Sequence, residues 1–402
     1  MFRGSFVNNF IKTDIRVLLL IGLVCLAGYA VMLQSPFKTM DDEFSIVRNT
    51  EIRSLENIPR FFTSTYFKAD KDYYRPLVYV TYALEYRFFG LNYFYYNFDN
   101  VILHILNAFL VFYLAGLLVR DRKKAFLVAM LFAVHPVHWE AVGNVSGRAI
   151  LLCAFFVLGG LIFFLRYVNG RRAIWLWASV LCYVFGLMSK ESSGVLPATA
   201  LCFWLMAGRT ERDPGRRGFW MFLPFALAAM GYLGIRHILG IVTMFPWPSW
   251  QEMFLGTVTF LKGILVYVRI FFFPVDLHFD RGLEMFKSFV APGLWLTVAA
   301  YLGLFWAGLR FRRKVSGLTW ICALWFLIEL LPVSQVVTTI GVNPGAISLA
   351  EHFVYLASVP VFLLMVSAAD RVYRWSVEKG KASASVFRIG FAGFFLFLYL
   401  LL

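Results

Sequence analysis

Long apolar runs recur along this chain with short basic clusters between them, a pattern that leaves few folds open. An α-helix needs about twenty apolar residues to cross roughly 30 Å of hydrocarbon. Runs of roughly that kind occupy 17–33, 98–118, 125–141, 147–167, 173–189, 194–208, 219–238, 290–309, 318–332, 353–369 and 386–402. No water-soluble surface can carry them, since 60% of the 402 residues are hydrophobic and only 15% are charged. The expectation is an all-α polytopic membrane protein with about eleven transmembrane helices.

The net charge of +15 sits in clusters between the runs: RDRKK (120–124), Arg166 with Arg171 and Arg172, RTERDPGRR (209–217), RFRRK (310–314) and DRVYRWSVEKGK (370–381). Basic loops that alternate with non-basic ones encode membrane topology rather than nucleic-acid binding, and place those loops and the amino terminus in the cytoplasm. Residues 253–273 are apolar enough to span but contain Lys262 and Arg269. Counting them as a crossing would invert the charge pattern that follows, so they read as an interfacial or re-entrant helix on the outer side. The first run lacks a small-residue cleavage site and reads as a retained span, not a signal peptide. Cys25, Cys153, Cys182, Cys202 and Cys322 lie inside apolar runs without disulfide or metal spacing, as packing residues.

The outer loop 34–97 is the one sizeable segment ahead of the second run. Its stretches IPRFFTSTYF and YYRPLVYVTYALEYRFFG suit helices lying flat in the interface, with Tyr and Phe at headgroup depth. No internal repeat or linker divides the chain, so 1–402 reads as one membrane domain without tetratricopeptide repeats.

Sorted by side, the polar residues gather outside. Asp41, Asp42, Arg75, Asn100, His104, His135, His138, Glu140, Arg148, Lys190, Glu191, Asp276, His278, Asp280, Glu351 and His352 all fall in outer loops or near outer helix ends, and all six histidines share that side. A single outward-facing cavity mixing carboxylates, imidazoles and cations accounts for this. Each motif also has a plainer explanation. Asp41 and Asp42, in FKTMDDEFSIVRN (37–49), stand where the first run ends, either as functional acids or as a wet loop. In HPVHWE, His135 and His138 lie one turn apart with Glu140 following. They can ligate a divalent metal or orient a substrate, or simply cap a helix ended by Pro136. Arg148, in GNVSGRA, opens a helix and makes an anion site or snorkels to the interface. Arg75, before Pro76, offers a fork for phosphate. Lys190 and Glu191, in MSKESSG, are a further cation with a carboxylate, or a surface ion pair worth little.

The ordered series DDEFSIVRN, YYRPL, NVILH (100–104), HPVHWEAVGNVSGRA, SKE, FPVDLHFD (273–280) and AEHFVYL (350–356) resembles the membrane domain of the transmembrane and tetratricopeptide-repeat O-mannosyltransferases and their bacterial relatives. It is similar, more broadly, to the GT-C glycosyltransferases, over residues 37–357. The resemblance implies a GT-C fold and a transferase that takes a sugar from a polyprenyl-phosphate carrier and passes it to a protein or lipid hydroxyl, usually Ser or Thr, by an inverting displacement. It implies Asp41 or Asp42 as general base, with Asp41 favoured. Arg148, Lys190 and Arg75 become donor-phosphate ligands. Residues His135, His138, Glu140, Glu191, Asn100, His104, Asp280, His352 and Tyr355 become orienters of sugar or acceptor, and any metal ion would fall to His135, His138 and Glu140. His352 stands where the family has Arg, and Ala357 where it has Pro. The site would open on the periplasmic side of a bacterial inner membrane. A lipid-linked sugar flippase or a glycan ligase are the alternatives. The first expects charged or broken helices at the midplane and a repeated half.

Overall fold

The computed structural model describes residues 15–38, 41–64, 73–170, 172–206, 215–241, 249–334, 345–380 and 384–402. The amino terminus and most of the cluster 209–217 therefore lie outside the described residues. Helices dominate: α1 Ile15–Tyr29, α2 Pro76–Phe89, α3 Tyr93–Val119, α4 Arg122–Val134, the short α5 Trp139–Gly143, α6 Arg148–Gly170, α7 Ala173–Leu187 and α8 Leu196–Met206. Then follow α9 Leu223–Ile238, α10 Trp250–Phe272, α11 Pro292–Phe311, α12 Gly317–Leu330, α13 Ser358–Glu378 and α14 Ala384–Leu401. The strands β1 (Gly282–Glu284) and β2 (Ala346–Ser348) pair antiparallel, Leu283 opposite Ile347.

The chain is an all-α, multi-span membrane protein. Among the described residues six helices are long and apolar enough to cross a bilayer, Ile15–Gln34, Tyr93–Val119, Val145–Gly170, Gly218–Ile238, Trp250–Phe272 and Pro292–Phe311. A seventh arises if α4 and the following Pro136–Gly143 count as one span bent by 52°. Ala173–Leu187, Gly317–Val333 and Ala392–Leu401 are apolar but shorter. The expected run 353–369 is displaced: α13 starts at Ser358 and runs on through Asp370, Arg371 and Arg374. There Asp370 pairs with Lys124 at 2.7 Å and with Arg374 at 3.1 Å, tying the basic end of α4 to α13.

The break after α4 shapes everything above it. Pro136 cannot donate to the helix and pushes the preceding residue into extended geometry, and His135 accordingly sits at φ −75° and ψ 125°. The chain then folds through α5 and re-enters the bundle as α6. Gly147 permits that re-entry, because a Cβ there would lie 2.1 Å from the backbone oxygen of Ala141. Gly147→Ala is expected to lower the thermal midpoint in detergent on the order of 10 °C, a backbone clash having no side chain that can yield. An unchanged midpoint would show that the approach is not tight.

A polar stripe on α3 stitches the break in place. Asn97 donates to Ser35 O at 2.8 Å, Asn100 to Asn144 O at 2.7 Å, and Asn107 to Leu151 O at 3.0 Å. These side chains are buried, where an unpaired amide costs about 1–3 kcal/mol, so each bond fixes the segment it reaches.

Candidate functional site

The acidic pair at 41–42 divides into an anchor and an exposed member. Asp42 is buried, and its two carboxylate oxygens accept from the backbone N–H of Ser146 at 2.8 Å and of Lys38 at 3.0 Å. It therefore pins the 37–49 loop to the turn that precedes α6. Asp41 is exposed. Its charge reaches the residues flanking Arg75: burial pushes the Tyr79 hydroxyl up to about 12, Arg75 opposing and Asp41 adding.

Arg75 and Glu191 form a two-point pair, Nη2 to Oε1 at 2.7 Å and Nε to Oε2 at 3.2 Å, with the guanidinium 4.2 Å above the Tyr73 ring. Burial favours the neutral Glu191 carboxyl, but the Arg75 charge and hydrogen bonds hold it down at about 2. Burial and the neighbouring Arg75 charge push Lys190 down to about 8. Lys190 has no ion-pair partner within 4.0 Å among the described residues. It lines a cavity of ≈ 40 Å³ together with Cys153, Ser192, Glu329, His352 and Tyr355. Glu140 holds His352 from the far side, accepting its backbone N–H at 2.8 Å and pairing with its ring Nδ1. Lys190 and His352 thus share one cavity, Glu140 holds His352, and the Arg75–Glu191 pair lies close enough to act on Lys190.

Other expected site residues stand behind its walls. Arg148 is fully buried, with its guanidinium engaged by Glu85 Oε1 at 2.7 Å, Tyr96 O at 2.9 Å, Thr81 Oγ1 at 3.2 Å and Asn100 Oδ1. The sequence expected a phosphate ligand, whereas the geometry shows a clamp joining α2, α3 and α6. Asn100 serves that same clamp. His104 accepts the Tyr355 hydroxyl at 2.7 Å and meets Ala133 O at 3.3 Å, and Asn107 donates to the same Tyr355 hydroxyl at 3.2 Å. Asp280 receives Ser348 Oγ beside the β pair. Glu351, which sequence reasoning left without a role, accepts His278 N–H at 2.6 Å while its second oxygen is buried without a partner. Burial, with Glu140 nearby, pushes this carboxyl up to about 7.

The expected metal set does not fit. His135 meets Phe271 O through Nε2 at 3.1 Å and receives Val137 N–H on Nδ1 at 3.2 Å. His138 meets Phe132 O at 2.8 Å and Ser358 Oγ at 3.1 Å. Glu140 turns instead to His352. Both imidazoles have both nitrogens engaged, and among the described residues no group of three or more His, Cys, Asp or Glu is placed to hold a metal ion. The two histidines lock the helix break to α10 and α13.

Glu329 was missed. Buried on α12, it accepts from Trp325 Nε1 at 2.9 Å and Thr199 Oγ1 at 3.4 Å at the edge of the Lys190 cavity. Its signal was plain, a lone acid inside an apolar run.

Fold and site together define a helical membrane protein that gathers acids, cations and imidazoles around Lys190 and His352. No family profile matches the chain. Among curated proteins it is similar to protein O-mannosyl-transferase F38B6.6 of Caenorhabditis elegans, 26% identical over 366 residues that cover 87% of this chain and 51% of that protein. It is also similar to protein O-mannosyl-transferase TMTC1 of Homo sapiens, 37% identical over 35% of this chain and 17% of that protein. A third relative is protein O-mannosyl-transferase Tmtc1 of Drosophila melanogaster, 26% identical over 69% of this chain and 36% of that protein. The chain spans about half, or less, of the length of these relatives. The resemblance read from the motifs is thus shown: the proteins this chain is similar to are protein O-mannosyl-transferases.

Proposed function

We propose that this chain is a membrane glycosyltransferase of GT-C type that moves a sugar, mannose by analogy with its relatives, from a polyprenyl-phosphate carrier to a protein Ser or Thr hydroxyl. The observation that carries the reading is an exposed carboxylate near a cluster of cations. Asp41 is exposed and close enough for its charge to act on Tyr73 and Tyr79 beside Arg75, while Lys190 lines a cavity without an ion-pair partner among the described residues. A lipid-linked donor delivers its phosphate at headgroup depth, where Lys190 receives it, with Arg75 held beside it by Glu191. Asp41 takes the acceptor proton, the freed oxygen bonds to the anomeric carbon, and the bond to phosphate breaks with its electron pair leaving on the phosphate. Arg148 takes no part in that exchange. Its role is to hold α2, and with it Arg75, against α3 and α6.

The arrangement of α10 supports the sidedness. Its first half packs Leu255 and Val258 on Leu294 at the start of α11, and its last turn offers Phe271 O to His135. By the charge pattern both neighbours lie at the outer side, which fits an interfacial helix and about eleven crossings for the whole chain. The cleft would then face the periplasm of a bacterial inner membrane.

The experiment is transfer from polyprenyl-phosphate mannose to a Ser/Thr peptide by the full chain in nanodiscs, read by mass spectrometry. No mannosylated peptide at any donor concentration would overturn the reading. A second expectation concerns alkaline pH. Lys190 loses its charge as pH rises through about 8, so donor affinity should fall above that value, and Lys190→Met should abolish the alkaline fall. A fall of equal size in Lys190→Met would assign it to another group.

A further inference from the structure

A slot of ≈ 490 Å³ opens between α7 and α9 and shares no lining residue with the Lys190 cavity. Its wall is apolar at Leu187, Ala229 and Leu233 and polar at Glu191, Arg236 and His237. By the charge pattern the polar residues stand at the outer side, and Ala229 lies about 10 Å deeper along α9 than Arg236. Arg236 sits in the last turn of a membrane-crossing helix, at the end where topology calls for no cation. Among the described residues it meets no carboxylate within 4.0 Å, and its guanidinium donates only to Tyr232 Oη at 3.4 Å and Ile241 O at 3.3 Å. Several of its N–H donors are therefore free. Glu191 is half-buried, and Arg75 takes one lone pair on each of its oxygens, which leaves about two open. A cation and a carboxylate that do not pair with each other thus face one slot.

We propose that this slot holds one bilayer phospholipid with a phosphoethanolamine headgroup, its phosphate on Arg236, its ammonium on Glu191 and the start of an acyl chain between α7 and α9. Charge complementarity selects the headgroup. Arg236 alone would take any phosphate, but the Glu191 carboxylate repels a purely anionic headgroup and accepts N–H from a primary ammonium. The surroundings select the bilayer as the source. Leu181, Leu233 and Ile238, on the two helices that form the slot, are large apolar side chains left exposed, so an occupant enters sideways from lipid and not from water. The apolar floor below Arg236 then receives hydrocarbon, which a water-borne peptide or sugar does not supply. The ammonium braces Glu191, and Glu191 holds Arg75. This inference goes beyond the transferase reading and does not depend on it.

The test is native mass spectrometry of the full chain in detergent, titrated separately with dioleoyl phosphatidylethanolamine, phosphatidylcholine and phosphatidylglycerol. One phosphatidylethanolamine should be retained about tenfold more tightly than either other lipid, because choline has no N–H to donate and the glycerol headgroup has no ammonium. Arg236→Gln should weaken that retention about tenfold. Gly194→Leu should weaken it as well. Gly194 lines the slot and a Cβ there meets nothing within 4 Å, so the longer side chain fills the space without a clash. Added phosphatidylethanolamine should raise the thermal midpoint of the wild type and of neither variant. Should Arg236→Gln fail to fold, Gly194→Leu decides alone. Equal retention of the three lipids, or unchanged retention by Gly194→Leu, overturns the proposal. Displacement of the bound lipid by polyprenyl phosphate would give the slot to the sugar carrier and overturns it too. No sugar is transferred in these measurements, so a silent transferase leaves their outcome untouched, and the reverse holds.

Discussion

Asp41→Asn is expected to reduce sugar transfer by about 10²–10⁴-fold while leaving the thermal midpoint unchanged. The two halves of that result follow from one geometry. Asp41 is exposed, so an amide of the same shape fits without strain and removes only basicity. Asp42→Asn has the opposite profile. An amide cannot accept two backbone N–H bonds through two oxygens, so either Ser146 or Lys38 loses its partner, at about 1–3 kcal/mol. Its transfer loss would come with a lowered midpoint, through displacement of the loop that carries Asp41. Initial rates and melting curves on both variants decide the matter. Parental rates in Asp41→Asn would remove it as the base, and a collapsed midpoint there would show that its role is structural.

Arg148→Ala should be the most destabilising single change in the bundle. The substitution leaves Glu85, 4% exposed, without its counter-charge, and deprives Asn100, Thr81 and Tyr96 of their donor. Breaking a buried pair by removing one partner costs about 3–5 kcal/mol. That corresponds to a midpoint lower on the order of 10 °C. Adding Glu85→Leu should recover part of the loss, because the remaining buried charge is then gone as well. The comparison also separates two roles for Arg148. A phosphate ligand would raise the donor KM without moving the midpoint, whereas a clamp moves the midpoint first. An unchanged midpoint with a raised KM would return Arg148 to the donor site.

How far the site was legible depends on what each residue type needs. Lys190, Arg75 and Glu191 could be placed at the outer rim from hydropathy, since a charge beside a long apolar run has to reach water or a partner. Whether a buried charge meets substrate or another side chain was not legible. Arg148, Arg75 and Asp42 occur in motifs as suggestive as that of Asp41, yet all three are engaged by contacts from distant parts of the chain, Glu85 for the first, Glu191 for the second and Ser146 for the third. His135 and His138 misled for the same reason. Their spacing fits a metal pair, but the spacing says nothing of Phe271 or Ser358, which take up their ring nitrogens.

Hydrophobic run length and the placement of basic clusters by themselves determined a multi-span helical membrane protein with its polar chemistry gathered at one end, because transfer of apolar and charged groups between water and lipid depends on composition alone. Tertiary structure decided which of those polar groups stay exposed at the cleft. A hydrogen bond forms at about 3 Å, and only the packing of α2, α3, α6, α10 and α13 around a proline break sets which partners come that close.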